Sequence, residues 1–273
     1  VPDLSVRIGD LEMRNPIMLA SGVVGYGPEY GDLIDYTTAG AIVTKTVTVR
    51  PRAGNRPPRL AETPGGLLNA IGLENVGVER FLSEKLPDSA RLPLPVVASA
   101  AGTSPEEFRT LSAALGEREE VSAIELNVSC PNVERPGNPL WADPFAVADM
   151  VSAARQATRK TLLLKLSPNT TDIAAVAEAG ERAGADALTV ANTLPGMRID
   201  LKSLRPALGN TTGGLSGGAL MPVNLALVWT VAGRVSIPIV GCGGVTKAED
   251  ALEYLAAGAT AVQVGTALFS DPE

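Results

Sequence analysis

Eight short apolar runs, separated by longer stretches with helical punctuation, constrain this chain more than any other feature. They are Ile17–Ala20, Ala41–Thr46, Val96–Ala100, Ala123–Val128, Leu162–Leu166, Ala187–Ala191, Ile237–Val240 and Ala261–Val264. Most are apolar at consecutive rather than alternate positions, the pattern of parallel strands covered on both faces. Parallel neighbours need a crossover, and helices supply it. Ser104-Pro105-Glu106-Glu107, Asp143-Pro144 and Thr246-Lys247-Ala248-Glu249 read as helix starts, each putting a capping side chain before proline or an acidic first turn. Ala39-Gly40-Ala41, Ala183-Gly184-Ala185 and Ala257-Gly258-Ala259 read as helix ends, with glycine in the left-handed cap. The expected fold is α/β, a (β/α)8 TIM barrel forming a single domain over residues 1–273. Leu4–Ile8 and Leu11–Arg14 flank the turn pair Gly9-Asp10, a hairpin expected to close the barrel bottom. Ser270-Asp271-Pro272-Glu273 reads as the cap and first turn of an eighth helix, so that final helix is expected to be missing from the chain.

Two connections are too long for plain strand-to-helix loops. Thr46 to Asn75 is rich in proline, glycine and arginine, and Leu194 to Pro222 in glycine and threonine. Both follow strand ends and are expected to lie as binding loops over the barrel mouth. Asn132 to Ala142, carrying Pro136, Gly137 and Pro139, reads as a lid over Cys130.

Composition narrows the chemistry. The chain has no histidine, which excludes His-based triads and leaves cysteine, lysine, carboxylates or a cofactor to move protons. Its two cysteines, Cys130 and Cys242, form neither a disulfide framework nor a CxxC metal motif, so no metal site and a reducing cytoplasm are expected. A net charge of −7 without basic clusters argues against nucleic acid and anionic lipid. No apolar run approaches the roughly 20 residues that span a bilayer, and Val1 to Arg14 lacks the order of a signal peptide.

Candidate site residues cluster at predicted strand ends, where barrel chemistry is done. Gly241-Cys242-Gly243-Gly244 and Gly265-Thr266 end the seventh and eighth strands, whose loops commonly hold a phosphate on backbone N–H groups; tight turns are the plainer alternative. Lys45 and Lys165 sit in apolar strand ends, suited to an anionic ligand or to a structural ion pair. Asn69, Asn127, Asn132 and Asn192 suit a ring of alternating carbonyls and N–H groups such as a pyrimidine, although any one of them could be a turn residue. Cys130 follows a strand that Pro131 must terminate, and it reads as a proton-transferring thiol; Cys242 reads as a packing residue.

Leu19-Ala20-Ser21-Gly22, Thr44-Lys45-Thr46-Val47-Thr48, Pro51-Arg52-Ala53-Gly54-Asn55, Asn69-Ala70-Ile71-Gly72-Leu73, Asn127-Val128-Ser129-Cys130-Pro131-Asn132, Lys165-Leu166-Ser167-Pro168, Asn192-Thr193, Gly213-Gly214-Leu215-Ser216-Gly217 and Gly265-Thr266 follow one another along the chain. Together these segments resemble the dihydroorotate dehydrogenase family. Cysteine in the Asn-Val-Ser-Cys-Pro-Asn motif is similar to class 1, and Asn69 to Leu73 to class 1B, the catalytic subunit of an NAD-dependent complex. The resemblance implies a bound FMN and oxidation of dihydroorotate to orotate in pyrimidine biosynthesis, with Cys130 as the base. It also implies substrate contacts from Lys45, Asn69, Ala70, Ile71, Gly72, Leu73, Asn127, Asn132, Asn192 and Thr193. Flavin contacts are implied for Ser21, Lys45, Thr46, Ser99, Asn127, Lys165, Ala191, Gly217, Gly243, Gly244, Gly265 and Thr266. Ser99 stands where the family often has asparagine, so its flavin contact is expected to be shorter-reaching. A homodimer core and an electron-transfer subunit with FAD and an iron–sulfur cluster are implied as partners. The alternatives are a fumarate-using class 1A enzyme, a Schiff-base lyase acting through Lys165, and an inactive flavin-binding subunit.

Overall fold

A computed structural model describes residues 3–31, 33–129 and 140–272. Eight parallel strands close into a barrel: β1 (Ile17–Leu19), β2 (Ala41–Val43), β3 (Val96–Ala100), β4 (Ala123–Asn127), β5 (Thr161–Lys165), β6 (Ala187–Val190), β7 (Ile239–Cys242) and β8 (Ala261–Val264). Each pairs with its sequence neighbours, and β8 returns to β1 through Val262↔Ile17 and Val264↔Leu19. The expected eight-stranded barrel is therefore present. The seventh strand begins two residues later than expected, because Pro238 has no N–H to give a ladder.

Helices cover the outside with apolar stripes of helical spacing. Phe108, Leu111 and Leu115 of helix Pro105–Gly116 are fully buried in the same cluster as Ile124 and Leu126, whose side chains face outward from β4. Each such side chain contributes about 1.5–3 kcal/mol by leaving water. Ser104 caps that helix by accepting from Glu107 N, and Asp143 caps helix Pro144–Ala157 by accepting from Phe145 N at 2.9 Å. At helix Ala248–Ala256 the direction is reversed. Asp250 accepts from Thr246 N, Thr246 Oγ1 and Lys247 N, so the carboxylate inside the helix does the capping.

Gly184 and Gly258 have positive φ after their helices, as expected. Gly40 does not; turns, not a helix, precede it. Glycine is needed there for a close approach, since a Cβ would lie 2.1 Å from the Asn15 carbonyl oxygen.

The hairpin Val6–Ile8/Leu11–Met13 plugs the barrel bottom. Ile8, Leu11 and Met13 pack with the inward-facing Ala123, Leu163, Ala187, Val240 and Ala261, and Asp10 N donates to Thr161 Oγ1 at 2.8 Å. Side chains two positions further along a strand share a face. That next layer holds Glu125, Lys165, Thr189, Cys242 and Gln263, all buried. The barrel interior thus changes from apolar to polar within one layer of side chains.

The two long connections are not loose loops. Leu60–Thr63 and Gly66–Asn69 from the first pair with Leu194–Met197 and Thr212–Ser216 from the second in one four-stranded antiparallel sheet. A small ladder, Ile199–Asp200 with Arg205–Pro206, extends from it.

Candidate active site

At the C-terminal ends of the strands, short polar side chains form one continuous hydrogen-bonded chain. Ser21 Oγ donates to Thr44 O at 2.7 Å and lies 3.3 Å from Thr46 Oγ1. Thr46 Oγ1 is 2.8 Å from Ser99 Oγ and accepts from Asn127 Nδ2 at 3.4 Å. Ser129 Oγ donates to Asn127 Oδ1 at 2.7 Å, and Asn192 Nδ2 donates to Ser129 Oγ. Residues on or just beyond β1, β2, β3, β4 and β6 thus share one network, with hydroxyls and amides that can each give and take a hydrogen bond. Five expected site residues, Ser21, Thr46, Ser99, Asn127 and Asn192, meet here. Ser99 is fully buried with its hydroxyl engaged by Thr46.

Lys165 is level with Asn127 in the β4–β5 register, and its side chain reaches Glu125, one inward position earlier on β4. Its Nζ donates to Gln263 Oε1 at 3.1 Å and lies 3.5 Å from Glu125 Oε1. Burial pulls the ammonium down, but the facing carboxylate outweighs it and holds Lys165 above the ordinary lysine range. Burial pushes the Cys242 thiol up, so that cysteine stays neutral beside the pair. Lys45, partly buried, is fixed by its backbone N–H on Gly25 O and makes no ion pair among the described residues.

The glycines form a second cluster. Gly243 and Gly244 have φ of 112° and 78°, and a Cβ on Gly244 would lie 2.3 Å from Met221 N, at the start of helix Met221–Ala232. Asn224, buried in that helix, donates to Cys242 O at 2.7 Å and to Ala191 O at 3.4 Å, tying the ends of β6 and β7 together. Tyr254 Oη donates to Gly243 O. Thr266 Oγ1 donates to Ser216 Oγ at 2.8 Å, next to Gly217, whose φ is 106°. Backbone packed this closely, at a helix start and without side chains, suits a phosphate.

The mouth sheet carries the remaining residues. Asn69 Nδ2 donates to Gly214 O at 3.2 Å, and Thr193 N donates to Asn192 Oδ1 at 2.8 Å. Ala70 to Leu73 are held from elsewhere. Asn55 bonds Ala70 O and Ile71 O, and Asn75 Nδ2 donates to Leu73 O. These four residues are not joined to the strand-end network. Cys130 and Asn132, and most of the segment read as a lid, lie outside the described residues.

Sequence reasoning gave no role to Glu125, Thr189, Gln263, Ser129 or Asn224. The signal for the first three was a polar side chain at an inward position of an otherwise apolar strand.

Among the described residues, no group of three or more His, Cys, Asp or Glu side chains is placed to hold a metal ion, and no helix is long and apolar enough to cross a membrane. The family model for dihydroorotate dehydrogenase matches residues 3–273. The chain is 52% identical over 271 residues to the dihydroorotate dehydrogenase B (NAD(+)) catalytic subunit of Pelobacter propionicus. Identity is 53% to the subunit of that name from Trichlorobacter lovleyi and 50% to that from Geobacter sulfurreducens. Each match covers 99% of this chain and 89% of the relative. The chain therefore belongs to the dihydroorotate dehydrogenase family, in its class 1B branch.

Proposed function

We propose that this chain, as one barrel domain, oxidises dihydroorotate to orotate in pyrimidine biosynthesis and works as the catalytic subunit of an NAD-linked complex. The observation that carries the proposal is the polar network from Ser21 to Asn192 above Lys165, in a chain half identical to subunits of that name. Members of the family are flavin-dependent, and the residues fit FMN. A Cβ at Gly244 would crowd the Met221 backbone and one at Gly243 the Asn224 side chain, so both positions keep the loop bare, and Lys165 offers a fixed positive charge to the electron-rich end of a reduced ring. Bound FMN supplies the acceptor for the hydride.

The chain's own residues do the rest. Cys130 takes the proton from the ring carbon beside a carbonyl. Asn127, Asn192 and Asn69 orient the pyrimidine by its alternating donors and acceptors, and Asn132, Thr193, Lys45 and the turn from Ala70 to Leu73 close around it. Electrons leave to a partner subunit with FAD and an iron–sulfur cluster and pass to NAD, from a homodimeric core in the cytoplasm. The relatives' names favour NAD over the fumarate of class 1A. A Schiff-base lyase needs a neutral lysine, and the charged pairing of Lys165 speaks against one.

The test is anaerobic addition of dihydroorotate while the flavin absorbance is followed. The wild-type chain is expected to bleach. Cys130→Ala is expected to stay yellow, with turnover reduced at least 100-fold, in line with removal of a general base. Normal bleaching of that variant at neutral pH would remove Cys130 from the role.

A further inference from the structure

The polar layer inside the barrel contains more than the lysine requires for a simple ion pair. Gln263 bridges it, accepting from Lys165 Nζ at 3.1 Å through Oε1 and donating to Glu125 Oε2 at 2.6 Å through Nε2. Thr189 Oγ1 donates to the same Glu125 oxygen at 3.1 Å. The other oxygen, Oε1, is buried, meets no hydrogen-bond donor in good geometry, and faces the ammonium at 3.5 Å. Glu125 is fully buried, Gln263 1% exposed and Lys165 5% exposed. These side chains come from β4, β5, β6 and β8, so four strands are committed to one cation.

We propose that Glu125, Gln263 and Thr189 are positioning residues, which fix the Lys165 ammonium beneath the strand-end network, with Glu125 as its only counter-charge among the described residues. A buried ion pair is by itself weak evidence of stabilisation, because desolvation of both charges offsets their attraction. The arrangement has a different consequence. An ammonium enclosed at this depth loses its proton readily without a carboxylate beside it. Among the described residues the other titratable group facing it is Cys242, from β7, and burial pushes that thiol up and keeps it neutral. Glu125 therefore decides whether Lys165 is a cation or an amine, and Gln263 and Thr189 decide where the carboxylate stands. The inference rests on the flavin reading only in the use made of the cation.

Two measurements on the full chain separate these claims. In flavin-free protein labelled on lysine, the side-chain resonance of Lys165 is expected to show an ammonium throughout pH 6–10. In Glu125→Gln, which keeps the shape and removes the charge, it is expected to lose its proton within that range. A Lys165 that stays charged in Glu125→Gln overturns the proposal. In flavin-loaded protein, two-electron reduction of the wild type is expected to take up one proton. Glu125→Gln is expected to take up two, the second on Lys165, so the slope of midpoint potential against pH doubles. If the resonance changes and the slope does not, the positioning role holds and it is the placement of flavin at Lys165 that fails. Should Glu125→Gln not fold, Glu125→Gln/Lys165→Met removes both charges and is expected to fold. An unfolded double variant would make Glu125 a packing residue and overturn the proposal.

Discussion

Tyr254 Oη donates a hydrogen bond to the Gly243 carbonyl at 2.7 Å, so a side chain of an outer helix holds the backbone of the proposed phosphate loop. The ring is fully buried and lies against Gly241, where a Cβ would sit 2.4 Å from Tyr254 Cδ1. Burial pushes the phenol far above its ordinary range, so it remains a donor at any working pH.

Tyr254→Phe keeps the packing and leaves the Gly243 carbonyl without this donor. A hydrogen bond of this kind is worth about 0.5–1.5 kcal/mol. The expected outcome is FMN affinity reduced by roughly two- to tenfold, read by flavin fluorescence titration, with a small drop in melting temperature.

Gly244→Ala tests the same loop from the backbone. At φ 78° the new Cβ is strained, by about 1–2 kcal/mol, and it would also stand 2.3 Å from Met221 N. Since backbone, not a flexible side chain, is in the way, the loop or the helix start must move. FMN affinity is expected to fall by about five- to thirtyfold, the free energy of that strain converted at 1.4 kcal/mol per tenfold. Circular dichroism should show the barrel intact, because the closed strand order does not involve this residue.

Much of this was legible in the sequence. The barrel was, because apolar runs such as Val96–Ala100 and Ala123–Asn127 report burial on both faces directly. So were the caps at Ser104 and Asp143. The cap on helix Ala248–Ala256 was misread, since Asp250 lies inside the helix and looks like ordinary first-turn acid. The mouth sheet was missed for a similar reason. Gly66–Asn69 and Thr212–Ser216 are short and glycine-rich, and they pair across more than 140 residues, which no local pattern announces. Of the residues singled out at strand ends, Ser21, Thr46, Ser99, Asn127 and Asn192 lie together in one hydrogen-bonded network. Glu125 and Gln263 were not singled out, because their meaning depends on which strands face each other across the barrel.

The Asp250 cap gives a pH dependence with a definite sign. Burial raises the carboxyl, but the hydrogen bonds from Thr246 and Lys247 outweigh it and hold Asp250 below the ordinary range. Its folded-state value is thus lower than the unfolded value near 3.9. The group stabilises the fold fully above the unfolded value, and that contribution is lost as pH falls through the folded one. Asp250→Asn is expected to cost about 1 kcal/mol at pH 7, the usual worth of a helix cap. In urea unfolding, the gap between variant and wild type should narrow steadily below pH 4.

Gly214→Ala should separate the substrate side of the site from the flavin side. Gly214 pairs with Asn69 across the mouth sheet and accepts from Asn69 Nδ2 at 3.2 Å. A Cβ there would lie 2.2 Å from Thr193 Oγ1 and 2.9 Å from Thr193 Cβ. Rotating the threonine relieves only the first contact, so the strand Thr212–Ser216 has to shift and carry Asn69 with it. Displacement of a positioning group by about 1 Å can cost up to 100-fold. The glycine loops at Gly243 and Gly265 belong to other strands and are not touched by this residue. KM for dihydroorotate is therefore expected to rise about tenfold or more while flavin content stays at the wild-type level. Loss of flavin together with substrate would mean that the mouth sheet supports the whole pocket, and that Asn69 has no separate hold on the substrate.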